Sequence, residues 1–306
     1  MSENTFNMDI QNIEKIFSQS KLFFSSYFRI HSPNTSNVFL YTNDSEKIER
    51  VSAFIFPKSG NTERPPAVIS RVLVPFERFT FNNKDIEQLL PGVKEGSVLL
   101  CVDLDGELTK ATFRKEFVSN WISKTSKAIS GAMTSAGSFP ELNTVNTKPK
   151  RSFSMFAPVT WDKGGVTSLN VLINHSSDPH YRDSIEIRPI LYNLKGESIE
   201  GKIATIAPFG IGIIDIEKVF GEKGTTLLSQ TQGKGTLTVR KMGYNLVSYF
   251  FQLDANENFI CGNHTQPPNV ILASFDSNVS LRQIYKEKLK IILPEILYIK
   301  KIIKKS

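Results

Sequence analysis

The chain says one thing twice. The stretch "LVPFERFTFNNKDIEQLL", Leu73 to Leu90, returns as "IAPFGIGIIDIEKVF", Ile206 to Phe220. Pro75-Phe76 faces Pro208-Phe209, Asp85-Ile86-Glu87 faces Asp215-Ile216-Glu217, and Leu89-Leu90 faces Val219-Phe220. Upstream, "VFLYTNDS" (Val38 to Ser45) pairs with "NVLINHSS" (Asn170 to Ser177), and "VSAFIFPKSG" with "IRPILYNLKG"; downstream, "GSVLLCVDLDG" pairs with "GTLTVRKMG". One short match carries little. Several in a single order, drifting only where loops tolerate insertions, predict an internal duplication. Two copies of one unit must share one architecture, and that constrains the fold more than any single motif.

The unit itself reads as strands. In the second copy "SFSMFAPV", "SLNVLIN", "SIEIRPILYN", "KIATIAPF", "GIGIIDI", "GTLTVRK" and "NLVSYFFQLD" are short, rich in β-branched and aromatic residues, and separated by turn residues. "GTLTVRK" alternates through Leu237 and Val239, and "SIEIRPILY" alternates in part through Ile185, Ile187 and Leu191. Segments of this number and length suit a sandwich of two sheets. "DIEQLL" and "DIEKVF" read as one helical turn each, capped by Asp85 and Asp215. Proline cannot donate to a strand ladder, so each Pro-Phe pair marks a corner where the chain passes between sheets.

The expected fold is all-β: two tandem immunoglobulin-like β-sandwich domains from an internal duplication, with short helical N-terminal and C-terminal segments. The immunoglobulin likeness is generic, and fold-level likeness carries no function. The expected boundaries are 1–20 for the N-terminal helical segment, 21–123 for the first sandwich and 124–151 for a linker rich in Ser, Thr, Gly and Pro. The second sandwich is expected at 152–268 and a basic amphipathic tail helix at 280–306. In the N-terminal segment Ile10, Ile13 and Ile16-Phe17 fall at helical spacing.

In the tail, Ser280 can cap a helix, Leu281, Ile284 and Leu289 repeat at helical spacing, and Pro294 interrupts. Beyond it Ile296, Ile299, Ile302 and Ile303 gather on one face, with Lys300, Lys301, Lys304 and Lys305 largely on the other. Such a helix can pack on its own domain, dock on a partner or lie on an anionic membrane surface. The formal net charge is +7, and residues 276–306 carry eight basic and three acidic side chains. The body is therefore near neutral, which argues against a nucleic-acid partner.

Cys101 and Cys261 sit in or at the end of apolar runs and read as buried thiols rather than a disulfide framework. The N-terminus lacks a signal-peptide pattern, and no apolar run reaches bilayer length. The default expectation is a cytoplasmic protein, with peripheral membrane attachment through the tail left open.

Catalytic signatures are missing. There is no His-Glu-x-x-His, Cys-x-x-Cys, Gly-x-Ser-x-Gly or P-loop. The Asp-x-Asp-Gly in "CVDLDGEL" lacks the rest of a calcium loop and reads as a turn. One constellation stands out: "NHSSDPHYRD" carries His175, Asp178, His180, Arg182 and Asp183, and "ICGNHTQPP" carries Cys261 and His264, read as lying past the last strands. Brought to one rim, His175, His180 and His264 could hold a divalent metal. With Arg182 as anion donor they could instead line a polar pocket for a sugar or phosphate. Trp161, in a turn-rich loop, is a candidate ligand platform, and "GEKGTTLLSQTQGKGT" reads as a long polar loop unique to the second copy.

The functional expectation is a non-enzymatic binding or scaffold protein presenting loops to a glycan or protein partner, in a cell-envelope setting, with no cofactor other than a divalent metal on those histidines. Two alternatives stand beside it: a metal-dependent enzyme using the three histidines, and a peripheral membrane protein held by the basic tail.

Overall fold

The computed structural model describes residues 10–30, 35–62, 65–104, 115–124, 129–135, 152–242, 246–256 and 258–264. The described residues form mostly antiparallel β-sheet, with three helices among them. In the first half, α1 (Ile10–Gln19) precedes β1 (Leu22–Arg29), β2 (Thr35–Thr42), β3 (Glu49–Pro57), β4 (Ala67–Leu73) and β5 (Arg78–Asn82). Helix α2 (Asn83–Leu89) leads to β6 (Glu95–Leu104), β7 (Phe117–Ser123) and β8 (Ile129–Ser135). These strands form two sheets, ordered β1-β6-β3-β4 and β5-β2-β7-β8.

The second half contains β9 (Ser152–Thr160), β10 (Thr167–Ile173), β11 (Ile185–Ile187), β12 (Pro189–Asn193), β13 (Ser198–Glu200), β14 (Ala204–Ile206) and β15 (Ile211–Asp215). Helix α3 (Ile216–Ser229), β16 (Lys234–Met242), β17 (Val247–Leu253) and β18 (Phe259–His264) complete it. Its main sheets run β9-β16-β12-β13 and β15-β10-β17-β18, and β11 pairs with β14 beside them. Strand for strand, this is the order of the first half. An immunoglobulin constant domain keeps its first two strands side by side in one sheet; here β1 and β2 lie in opposite sheets.

Each half buries an apolar layer between its sheets. In the first, Leu22, Phe24 and Phe28 of β1, Val51, Ala53 and Ile55 of β3, and Val98, Leu100 and Val102 of β6 meet Phe39, Tyr41, Phe79, Phe81 and Phe117 of the facing sheet. Phe39 stacks on Phe81 and Phe117 at 4.8 and 5.8 Å between ring centroids. In the second, Ala157, Val159, Leu191, Leu237 and Val239 meet Leu172, Ile214 and the apolar side of α3. Each fully buried side chain of this size contributes about 1.5–3 kcal/mol.

β1 and β3 do not alternate; they are buried on both faces. The reason lies on the outer face of their sheet. Phe17 of α1 packs edge-on against Phe54 at 5.0 Å, within a cluster that includes Phe23, Phe56, Leu99, Cys101 and, from the second half, Phe209. Beside it, Tyr27 and Trp121 pack with Leu169, Val171, Ile173, Tyr249 and Phe251 of the second sandwich. A sheet covered on both faces needs continuous apolar strands, and the sequence supplies them.

Several local expectations are corrected. The segment 124–151, read as a linker, contains strand β8. The polar stretch after Phe220, read as a loop, continues α3 to Ser229, bent at Gly221, where φ is 62°. The segment's glycines and threonines weaken a helix, and burial of Leu228 against the second core holds the extension in place. Asp215 does cap α3, accepting from the Glu217 and Lys218 amides, but α2 is capped by Asn82, with Asp85 closing a capping box from inside the helix. Cys261 and His264 lie within a strand, β18, and Cys261 is exposed rather than buried.

Candidate functional site

The repeated Pro-Phe phrase forms the same turn twice. The Glu77 amide donates to the Val74 carbonyl at 3.1 Å and the Gly210 amide to the Ala207 carbonyl at 3.0 Å. Phe76 and Phe209, the third residues of these turns, have φ of 63° and 57°. That is the position of a type II turn where glycine is favoured. An asparagine clamps each corner. Asn43 Nδ2 donates to the carbonyls of Lys47, Leu73 and Val74 at 2.7, 3.3 and 3.1 Å. Asn174 Nδ2 donates to those of Asp183, Ile206 and Ala207 at 2.9, 3.3 and 3.0 Å.

The surroundings of the two corners differ. Phe76 is 70% exposed, whereas Phe209 is 2% exposed. Phe209 stacks on Phe56 of the first sandwich, centroids 4.8 Å apart and planes 14° from parallel, with Phe17 and Tyr181 edge-on at 6.3 and 6.0 Å. The Pro208 carbonyl presses on Gly60: a Cβ there would fall 2.0 Å from it, and φ at Gly60 is 73°. Ile211 N–H donates to the Lys58 carbonyl at 3.0 Å, so backbone bonds also cross the seam.

His175 sits in the same seam. Its Nδ1 is 2.8 Å from Ser25 Oγ and its Nε2 is 2.8 Å from Ser97 Oγ, both serines belonging to the first sandwich. Ser97 Oγ donates on to the Phe209 carbonyl at 3.3 Å. A hydroxyl that donates there accepts from Nε2–H, and in the neutral ring that burial favours Nδ1 then accepts from the Ser25 hydroxyl. Burial lowers its pKa to about 3, because an imidazolium without a carboxylate partner is poorly solvated there. Tyr249 O–H donates to the Ser25 carbonyl across the same seam.

Beside this contact a cleft of about 750 Å³ opens between the sandwiches. Lys58, Ser59, Lys94 and Glu95 line one wall, and Thr205, Ala207 and Ile211 the other. Lys58 Nζ is 2.9 Å from Glu95 Oε1, and Tyr27 O–H donates to Glu95 Oε2 at 3.2 Å, so the carboxylate is already engaged.

Among the candidates whose side chains are described, His175, His180, Arg182 and Trp161 occupy different surroundings. His175 joins the two halves. His180 is exposed, its Nε2 3.6 Å from Glu14 of α1. Arg182 is exposed and turns back on the carbonyls of Pro179 and Tyr181 at 3.3 and 2.8 Å. His264 faces Tyr249 in the β17–β18 ladder by its backbone, and its side chain is outside the described residues. Trp161 is half-buried and its indole N–H donates to Glu217 Oε1 at 3.0 Å, at the start of α3. Lys300, Lys301, Lys304 and Lys305 lie outside the described residues. Among the described residues, no three of His, Cys, Asp and Glu gather closely enough to hold a metal, and no helix is long and apolar enough to cross a membrane.

Sequence reasoning missed Ser25, Ser97 and Phe56 as partners of the second half. A signal existed: the serines interrupt "LFFSSYF" and "GSVLL", apolar strands in which a polar side chain needs a partner. By sequence comparison, no protein-family model and no curated protein matches the chain.

Proposed function

We propose that this chain is a non-enzymatic scaffold: two immunoglobulin-like sandwiches descended from one duplicated module, which engage a protein partner. The duplication is supported by the shared strand order, the paired left-handed phenylalanines and the paired asparagine clamps. The immunoglobulin likeness is one of architecture, paired and packed antiparallel sheets with crossing connections, and does not extend to strand order, since β1 and β2 lie in opposite sheets.

The observation that carries the functional reading is an exposed apolar strip. Ile48, Val72, Val74 and Phe76 lie exposed along and beside β4, the edge strand of its sheet. Edge strands offer unpaired backbone groups, and apolar surface gathered on one marks an interaction site. His175 is used otherwise. Both ring nitrogens of His175 are taken up by serines in a closed seam.

A photo-crosslinking residue at Val74, used in the native host, tests the reading. Recovery of a protein adduct supports it, and a clean failure to crosslink anything overturns it. The glycan alternative rests on Trp161, whose half-buried indole is held by Glu217; a glycan array with Trp161→Ala as control tests that. Elemental analysis of the purified chain, and liposome flotation with and without residues 280–306, test the metal-enzyme and membrane-anchor alternatives.

A further inference from the structure

The contact that joins the two sandwiches has a receiving side and an inserting side, and each half of the chain carries both. Among the described residues, one pair is used internally. The receiving side on the first sandwich is Phe56, Ser97 and the turn at Gly60. Phe56 pairs with Ser97 one residue before the Pro57–Gly96 pair; Tyr192 pairs with Thr236 one residue before Asn193–Gly235. The second sandwich thus repeats an aromatic ring beside a hydroxyl on the outer face of the equivalent sheet, and both residues are half-buried.

The neighbouring turn repeats as well. Gly60 N–H donates to the Pro57 carbonyl at 2.8 Å and Gly196 N–H to the Asn193 carbonyl at 3.1 Å, with φ of 73° and 85°. At Gly60 the partner corner fills the space; at Gly196 nothing among the described residues lies within 4 Å of where a Cβ would stand. Pro158, in register with Thr236, extends this receiving face and is exposed.

The unused inserting side is the Phe76 corner. Phe209 offsets its left-handed backbone, which costs an ordinary residue about 1–2 kcal/mol, by burying its ring. Phe76 carries the same conformation with its ring in solvent. Exposed Val72 and Val74 precede it. The flanking surface matches too: the Val171–Tyr249 pair lies in the seam, and at the equivalent place Leu40 pairs with Val118, both half-buried.

We propose that the chain associates with itself head to tail, the Phe76 corner of one copy seating on the Tyr192–Thr236 face of the next as Phe209 seats on Phe56 and Ser97 within the chain. This rests on the duplicated-scaffold reading and names its partner as a second copy. Such an interface joins unlike surfaces, so each copy can engage two neighbours, and the assembly closes into a ring or grows into a filament according to the rotation between copies.

Sedimentation of the full chain over a wide concentration series tests it. The weight-average mass of the wild type rises with concentration. Phe76→Gly relieves the left-handed strain, so it folds, and it loses that rise; Thr236→Lys on the other face loses it as well. Mixed in equal amounts, the two variants form a heterodimer of doubled mass that grows no further, since each supplies the face the other lacks. A wild type that stays monomeric, a Phe76→Gly variant that still assembles, or a mixture that fails to pair overturns the proposal. A Val74 crosslink to a different protein alongside a monomeric wild type removes self-association and leaves the scaffold reading; no crosslink at all removes both.

Discussion

Phe209 stacks on Phe56 with ring centroids 4.8 Å apart, so that a corner of the second sandwich closes the outer face of the first. The same corner in the first sandwich presents Phe76 to solvent. Truncating the two rings separates burial from turn geometry. Phe209→Ala is expected to lower unfolding stability by about 3–5 kcal/mol, the range for emptying a buried phenylalanine site. Phe76→Ala is expected to change the monomer by no more than about 0.5 kcal/mol. Urea unfolding at a concentration where the wild type is monomeric measures both.

Gly60 and Gly196 share a left-handed conformation but not a neighbourhood. Gly196→Ala meets only the backbone preference and should cost about 1 kcal/mol. Gly60→Ala adds a methyl 2.0 Å from the Pro208 carbonyl, which forces the seam apart. Its loss should exceed that of Gly196→Ala by about 2 kcal/mol or more. Equal losses in thermal or urea unfolding would mean that the two sandwiches are not docked through this corner.

Lys115 and Glu49 form a buried pair at 2.6 Å, with Asp44 also 2.5 Å from the ammonium. Tyr41 O–H donates to the other oxygen of Glu49 at 2.8 Å. Burial, and then the Glu49 charge, push the Tyr41 phenol far above its ordinary range, so it remains a donor. Lys115→Met strands the carboxylate and is expected to cost about 3–5 kcal/mol. Adding Glu49→Gln should recover part of that loss. A double variant as unstable as the sum of the singles would show that the pair is not coupled.

The strands were legible because their residue types and turn punctuation are local. "GTLTVRK" announced β16, and the repeated Pro-Phe announced a corner in each half. The partners of His175 were not legible. Ser25 and Ser97 lie 150 and 78 residues away in sequence, and nothing local says which surface of one sandwich another will cover. The same holds for α3: "GEKGTTLLSQ" contains glycines that weaken a helix, and only the burial of Leu228 against the second core makes it one. Long-range packing overrode propensity there. In β1 and β3 it is the cause of apolar runs that a lone sandwich would not need.

His175 gives the seam a dependence on pH. In the unfolded chain its imidazole titrates near its ordinary value of 6.5, and in the fold burial lowers the pKa to about 3. Between those values the unfolded chain holds a proton that the folded chain does not, so acid favours unfolding. The contribution is intact above about pH 6.5 and is lost as pH falls through the window toward 3, at about 1.4 kcal/mol per pH unit. His175→Gln removes the titrating group, so its stability should be flatter between pH 6.5 and 5, above the range where most carboxylates titrate. Urea midpoints of both proteins across that interval decide the matter. Parallel slopes would mean that the imidazole is solvated and that the Ser25–His175–Ser97 bridge does not hold the two sandwiches together.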